Sequence, residues 1–185
     1  MHTESGSEPP SYWTTRYWQW IYSKPKEKNP LKTGEVNVDE FICLPCTGGG
    51  EDCGRVLDLS GMNSKKEILV PVFAAECSTG EMLYATDEQL RKRAREMSAP
   101  LYMEISLDDR PLSPVYIESG PFDLTVPSNH FLENEQAPAG TYRAVSCGYW
   151  YKLKPLPKGK HYVRFGGSGA NGFNTKVMYQ INVNS

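Results

Sequence analysis

From Leu101 onward, apolar and polar positions alternate along the chain. Leu101, Met103, Ile105 and Leu107 alternate with Tyr102, Glu104 and Ser106 before Asp108-Asp109 turns the chain. Phe122, Leu124 and Val126 alternate with Asp123 and Thr125, and His161, Val163 and Phe165 alternate with Lys160, Tyr162 and Arg164. Thr175, Val177, Tyr179, Ile181 and Val183 repeat the pattern, and Tyr142 to Lys154 predicts one long strand or a bent pair. A period of two gives each strand one dry face and one wet face. The glycine-rich GGSGANG stretch at 166–172 predicts the hairpin loop between the last two strands.

The first half carries different periods. Trp13, Tyr17 and Trp20 fall at i, i+4 and i+7, which predicts a short helix over 12–22, ended near Lys24-Pro25. Residues 24–39 read as loop, 43–54 as a glycine-rich, cysteine-bearing loop, and Ile68 to Phe73 as a buried strand. Thr86 and Gln89 make a capping box, which opens a second helix running to Ser98 with a solvated RKRAR run at 91–95. Residues 1–11 read as a flexible lead, and 12–185 as a single domain. The elements add up to a mainly β fold: an antiparallel β-sandwich, jelly-roll-like, with one or two peripheral helices.

Charge narrows the partners. The 20 basic and 22 acidic residues leave a net charge of -2, so the electrostatic pull toward phosphate backbones is missing and nucleic acid is excluded as a partner. No window approaches the roughly 18 apolar residues of a membrane span. Met1 to Pro10 lacks the basic start and apolar stretch of a secretion signal, which predicts a cytoplasmic protein, or an exported one if a leader has been removed. The five cysteines are an odd number, which argues against a complete disulfide framework.

Three stretches, YWQWIYSKPKEKNPLKTG (17–34), EILVPVFAAECS (67–78) and GYWYKLKPLPKGKHYVRFGG (148–167), resemble a group of bacterial and archaeal proteins. That group shares a W-QW--S-P---NP--TG opening, an apolar strand ending near ECS, and a GYW--LKPLP-GKH--RFGG segment. The group lends no activity, so the resemblance implies no catalytic residue. It does imply export for many members, and it leaves the cysteine loop particular to this chain.

Chemistry concentrates in few places. Cys43-Leu-Pro-Cys46 is a C-x-x-C followed by Cys53, a spacing that can turn two thiolates toward adjacent corners of a zinc tetrahedron, with Cys77 or His161 to complete the set. Reduced cysteines in a surface loop are the competing reading, because a second C-x-x-C or an H-x-H pair is missing. Cys77 and His161 also form a candidate thiol–base pair, against the ordinary role of cysteine as a small buried hydrophobe. His161 shares a face with Val163 and Phe165 and reads as an inward-facing core residue. Trp18, Trp20, Tyr149, Trp150 and Tyr151 are candidates for stacking against sugar rings, against the commoner role of large aromatics as core. The two glycine-rich stretches lack the Gly-Lys-Ser/Thr ending and the strand–helix context of a phosphate loop. The sequence therefore predicts a non-enzymatic module for a protein or glycan partner. The alternative is a zinc or other transition-metal protein built on the Cys43–Cys53 loop. Oligomeric state is left open.

Overall fold

The computed structural model describes residues 8–38, 40–45, 52–130 and 137–184. The chain opens with helix α1 (Pro10–Tyr22), then a short helix α2 (Pro30–Thr33). Strands β1 (Asn37–Val38), β2 (Phe41–Cys43), β3 (Asp52–Leu59) and β4 (Ile68–Ser78) precede helix α3 (Asp87–Met97). Seven strands follow: β5 (Pro100–Leu107), β6 (Arg110–Pro111), β7 (Val115–Glu118), β8 (Phe122–Val126), β9 (Gly140–Leu153), β10 (Gly159–Gly169) and β11 (Asn174–Val183).

The strands form two stacked sheets. One runs β1-β2-β4-β9-β7, with β8 also paired to β9; the other runs β3-β11-β10-β5-β6. The β-rich sandwich expected from the alternation is present, but the sheets are mixed rather than purely antiparallel. β2 runs parallel to β4, and β3 runs parallel to β11. The reason is connectivity. The parallel partners are joined by long stretches of chain, so no hairpin forces them to reverse.

The inner faces meet in a dry core of Ile42, Ile68, Val70, Val72, Val163, Phe165, Val177, Tyr179 and Ile181. Facing aromatic rings tie the layers: Phe73 of β4 lies 5.5 Å from Phe173 at the β10–β11 turn. Along β4 and β9, Cys77 opposes Val145 and Ala75 opposes Cys147, on the same face as Phe73. α3 packs Leu90 and Ala94 onto this part of the face, so it continues the layer of the five-stranded sheet. α1 takes the opposite face of the six-stranded sheet, with Tyr17, Trp20, Ile21 and Tyr22 packed on Phe41, Cys43, Leu69, Leu124 and Trp150.

Local chemistry explains the ends. α1 starts at Pro10, because proline fits the first helical turn, where its missing N–H costs nothing. The last residues of the expected flexible lead are thus helical. Asn29 is fully buried, caps α2 by accepting from Leu31 N at 3.0 Å, and donates to the Ile21 carbonyl at the end of α1 at 2.8 Å. The predicted capping box at Thr86 is present on both sides: Gln89 N donates to Thr86 Oγ1 at 3.3 Å, and Thr86 N to Gln89 Oε1 at 2.8 Å. Thr86→Ala is expected to cost about 0.5–2 kcal/mol of stability, read as a lowered urea midpoint at unchanged slope.

The GGSGANG stretch departs from expectation. Gly166, Gly167 and Gly169 belong to β10 itself, and only the residues after them turn. Gly166 and Gly167 are needed because the carbonyl oxygens of Thr175 and Tyr102 on the neighbouring strands approach too closely for any side chain. Leu101, placed among the inward residues by its alternation, is exposed at the start of β5.

Candidate functional site

Two regions stand out: an open sheet face and a buried acid cluster.

The five-stranded sheet has one dry face and one uncovered face, and register orders the uncovered one into rows. Lys160, Asn182 and Asp58 lie side by side across β10, β11 and β3. The next rows are Tyr162, Gln180 and Val56, then Arg164, Met178 and Gly54. Val56 is 66% exposed and Met178 39%. The polar members are ordered: Gln180 Nε2 donates to Asn182 Oδ1 at 3.1 Å, and Asn182 Nδ2 donates to Asp58 Oδ1 at 2.8 Å. Arg164 stands 6.0 Å from the centre of the Tyr162 ring and pairs with Asp109 in the β5–β6 turn. At one end of the face a shallow depression of about 460 Å³ is lined by Asp58, Lys158, Lys160, Gln180, Asn182 and Asn184.

The second region lies under the C-terminal end of α1. Glu76 projects from β4 toward the helix and is only 4% exposed. Ser146 sits opposite it on β9 and accepts from Trp18 Nε1 at 2.7 Å. Ser146 N in turn donates to the buried Ser119 Oγ at 2.9 Å. Burial pushes the Glu76 carboxyl well above its ordinary value, the nearby Glu81 carboxylate adds to the rise, and a hydrogen bond with Tyr22 opposes it. Burial likewise raises Glu81, against hydrogen bonds from Ser78. Tyr22 is raised by burial first and by Glu76 and Glu81 next. One Glu76 oxygen, Oε2, is buried without a hydrogen-bond partner. Such a group holds its proton, since an unpaired buried charge is far costlier than a neutral carboxyl.

The residues singled out from sequence are scattered. Cys43 lies on β2 against α1, whereas Cys77 lies on the other face of the same sheet against α3. Cys53 belongs to β3 of the other sheet, and Cys46 lies outside the described residues. Among the described residues, no group of three or more His, Cys, Asp or Glu is placed to hold a metal. The thiol–base pairing also fails. Cys77 Sγ donates to Met82 Sδ at 3.6 Å, with burial pushing its pKa up to about 12. Cys147 is raised by burial to about 11, and burial alone lifts Cys43. Thiols so raised are inert at neutral pH. His161 uses both ring nitrogens elsewhere: Nδ1 lies 2.8 Å from Asp108 Oδ2, and Nε2 lies 2.9 Å from the Pro157 carbonyl oxygen. Burial works against its charge, but these contacts outweigh it and hold its pKa above the ordinary value.

The aromatic candidates are core or near-core. Trp20 and Trp150 are buried, and Trp18 is half-buried, stacked on Tyr22 with ring centres 6.1 Å apart. Tyr149 and Tyr151 lie half-buried on the inner face, where Tyr149 meets Tyr116 at 5.1 Å. They form no open platform, because alternate positions of β9 face α1 on one side and the second sheet on the other. Sequence reasoning passed over Tyr162, Gln180 and Asn182, whose signal was their polar register opposite Val163, Tyr179 and Ile181. It also passed over Glu76, a lone acid in the apolar run ILVPVFAAECS.

No family model matches the chain, and neither does any curated protein or solved structure. Among the described residues no helix is long and apolar enough to cross a membrane.

Proposed function

We propose that the protein is a non-enzymatic binding module that takes a glycan on the uncovered face of the five-stranded sheet. The observation that supports this most is the register-ordered array of amide, tyrosyl and charged side chains on the open face of a sheet whose other face packs the core. Planar amides and carboxylates match the paired hydroxyls of a sugar ring, and tyrosine supplies an apolar plane with a polar tip. Rigidity also favours binding, because side chains held by a sheet lose little freedom when a ligand arrives. The dispersed cysteines and the doubly occupied His161 give catalysis no comparable support.

Screening the full chain on a glycan array and measuring the hits by titration calorimetry tests the reading. Tyr162→Ala is expected to weaken the hits about tenfold, a loss of about 1.4 kcal/mol. Val115→Ala, on the other sheet, is expected to leave them unchanged. An array with no hits, or hits indifferent to Tyr162→Ala in a folded variant, removes the proposal.

A further inference from the structure

The five-stranded sheet ends at β3, which pairs with β11 alone, in unbroken register from Asp52 to Leu59. Asn184 N donates to the Leu59 carbonyl at 2.8 Å, so the odd-numbered residues of β3 turn their backbone groups toward β11. Backbone direction alternates along a parallel strand, so the N–H and C=O groups of Gly54, Val56 and Asp58 point outward. All three residues are exposed, and among the described residues no backbone group outside the strand bonds to these outward groups. Nothing lies within 4 Å of a methyl built on Gly54. Sandwich proteins commonly blunt such an edge with proline, lysine, a bulge or a very short strand. β3 has eight residues, contains neither proline nor lysine, and shows no shift of register. The other outer strands are short or interrupted. β1 and β6 have two residues each, β7 four and β8 five, while β5 is partly covered by β6 and carries a register shift opposite Ser168 and Gly169.

We propose that two copies of this chain pair antiparallel along β3, about a two-fold axis at Val56, and join their five-stranded sheets into one. The strand is complementary to itself in this register. Val56 meets its own copy as a hydrogen-bonded pair, and Gly54 meets Asp58, so every outward N–H of the three residues finds an outward C=O. The Val56 side chain, 66% exposed on the open face, gains an apolar neighbour in the other Val56. Asp58 stands opposite a glycine rather than a second acid, which avoids the penalty of like charges directly across a strand pair. Leu57 packs against the core, and Arg55 is engaged with the Leu31 carbonyl at 3.0 Å and the Tyr179 hydroxyl at 3.4 Å. The two-fold axis stands perpendicular to the sheet, so both open faces look the same way. The pairing needs no ligand and stands whether or not the open face takes a glycan. A contact confined to one strand is small, so the dimer is weak and depends on concentration.

Sedimentation equilibrium of the full chain, at concentrations up to about 1 mM, provides the test. The average mass is expected to rise from 20.8 kDa toward twice that value. Val56→Lys sets two ammonium groups opposite each other, and Val56→Pro removes the central donor at an edge position where the fold tolerates proline. Each is expected to weaken the dimer at least about tenfold, with a native near-ultraviolet circular dichroism spectrum. Val56→Lys leaves the backbone intact and decides alone if the proline variant is not native. Leu101→Lys, on β5 at the other side of the sheet, is expected to leave the dimer unchanged. Amide exchange at Gly54, Val56 and Asp58 is expected to slow as concentration rises. A mass that stays at 20.8 kDa throughout overturns the proposal. A dimer that a native Val56→Pro or Val56→Lys variant forms as tightly as before also overturns it, because its contact then lies elsewhere. A mass that climbs well past the dimer overturns it too, since two-fold pairing uses up both edges and closes.

Discussion

Gly148→Ala is expected to prevent the chain from reaching its folded state. Gly148 sits in the middle of β9 with φ +150, a backbone region that side-chain-bearing residues rarely enter. An added methyl would lie 2.4 Å from the Ala74 Cα and 2.7 Å from the Phe73 carbonyl oxygen on the paired strand. Both obstacles belong to the neighbouring strand's backbone or sit directly on it, so no side-chain rotation relieves them. The pairing at issue joins β4 to β9, which together carry the face under α1 and the face under α3. Losing local register therefore loosens several packing surfaces at once. A domain of this kind has only about 5–15 kcal/mol of net stability, and a backbone collision combined with a forbidden φ belongs among the rare substitutions that cost more than about 4 kcal/mol. Gly166 repeats the situation in β10, where φ is +152 and an added methyl would meet the Thr175 carbonyl oxygen at 2.1 Å. Gly54→Ala on edge strand β3 is the control: nothing lies within 4 Å of an added methyl there. Soluble yield and near-ultraviolet circular dichroism read the outcome. A Gly148→Ala protein with a native near-ultraviolet spectrum and an unchanged urea midpoint would refute the account.

Those glycines show where sequence and structure part company. Alternation in the second half identified the strands and their dry faces, because period-two burial is written in each residue. Val177, Tyr179, Ile181 and Val183 are all buried, as the pattern requires. The capping box was legible for the same reason, being a local bargain between Thr86 and Gln89. Long-range pairing is not local. Nothing in the residues of β3 announces a parallel partner more than a hundred positions away in β11, since any strand with one apolar face accepts either direction. The glycines of 166–169 looked like a turn because glycine marks turns and close backbone approaches alike, and only the neighbouring strand distinguishes them. The candidate site was less legible still. Aromatic density drew attention to Trp18, Trp20 and Trp150, yet α1 covers the outer face of β2, β4, β8 and β9, and burying those rings is what holds it there. The polar rows of the open face carry no unusual residue type; adjacency across three strands makes them a surface.

Glu76 predicts a second large effect, on the dependence of stability on pH. Its carboxyl keeps a proton well above the ordinary value of 4.5, through burial first and the neighbouring Glu81 charge second. Between that ordinary value and the raised folded one, the folded chain holds more protons than the unfolded chain. Stability therefore falls as pH rises through this window and is fully present only below it. Each tenfold gain in proton affinity on folding corresponds to about 1.4 kcal/mol surrendered by the top of the window. Glu81, also raised by burial, acts with the same sign, and so does His161 above its ordinary value of 6.5. Asp87, Asp108 and Glu118 act oppositely. Their folded values are lowered, so the stability they contribute is lost as pH falls below the ordinary carboxylate range. The opposing groups thus work in a more acid window, and the wild-type profile should peak near the boundary between the two. Glu76→Gln keeps the shape and a hydrogen-bonding partner for Tyr22 while removing the titration. It is expected to flatten the fall in thermal midpoint between mildly acid and mildly alkaline pH, leaving the acid limb in place. Above the ordinary tyrosine value of 10.0 both proteins should lose stability again, since Tyr22 is held neutral by burial first and by Glu81, which the variant keeps. Thermal melts of the two proteins across this range decide the matter. Parallel profiles from mildly acid to mildly alkaline pH would mean that Glu76 ionises as freely folded as unfolded, and that the cluster beneath α1 is hydrated rather than dry.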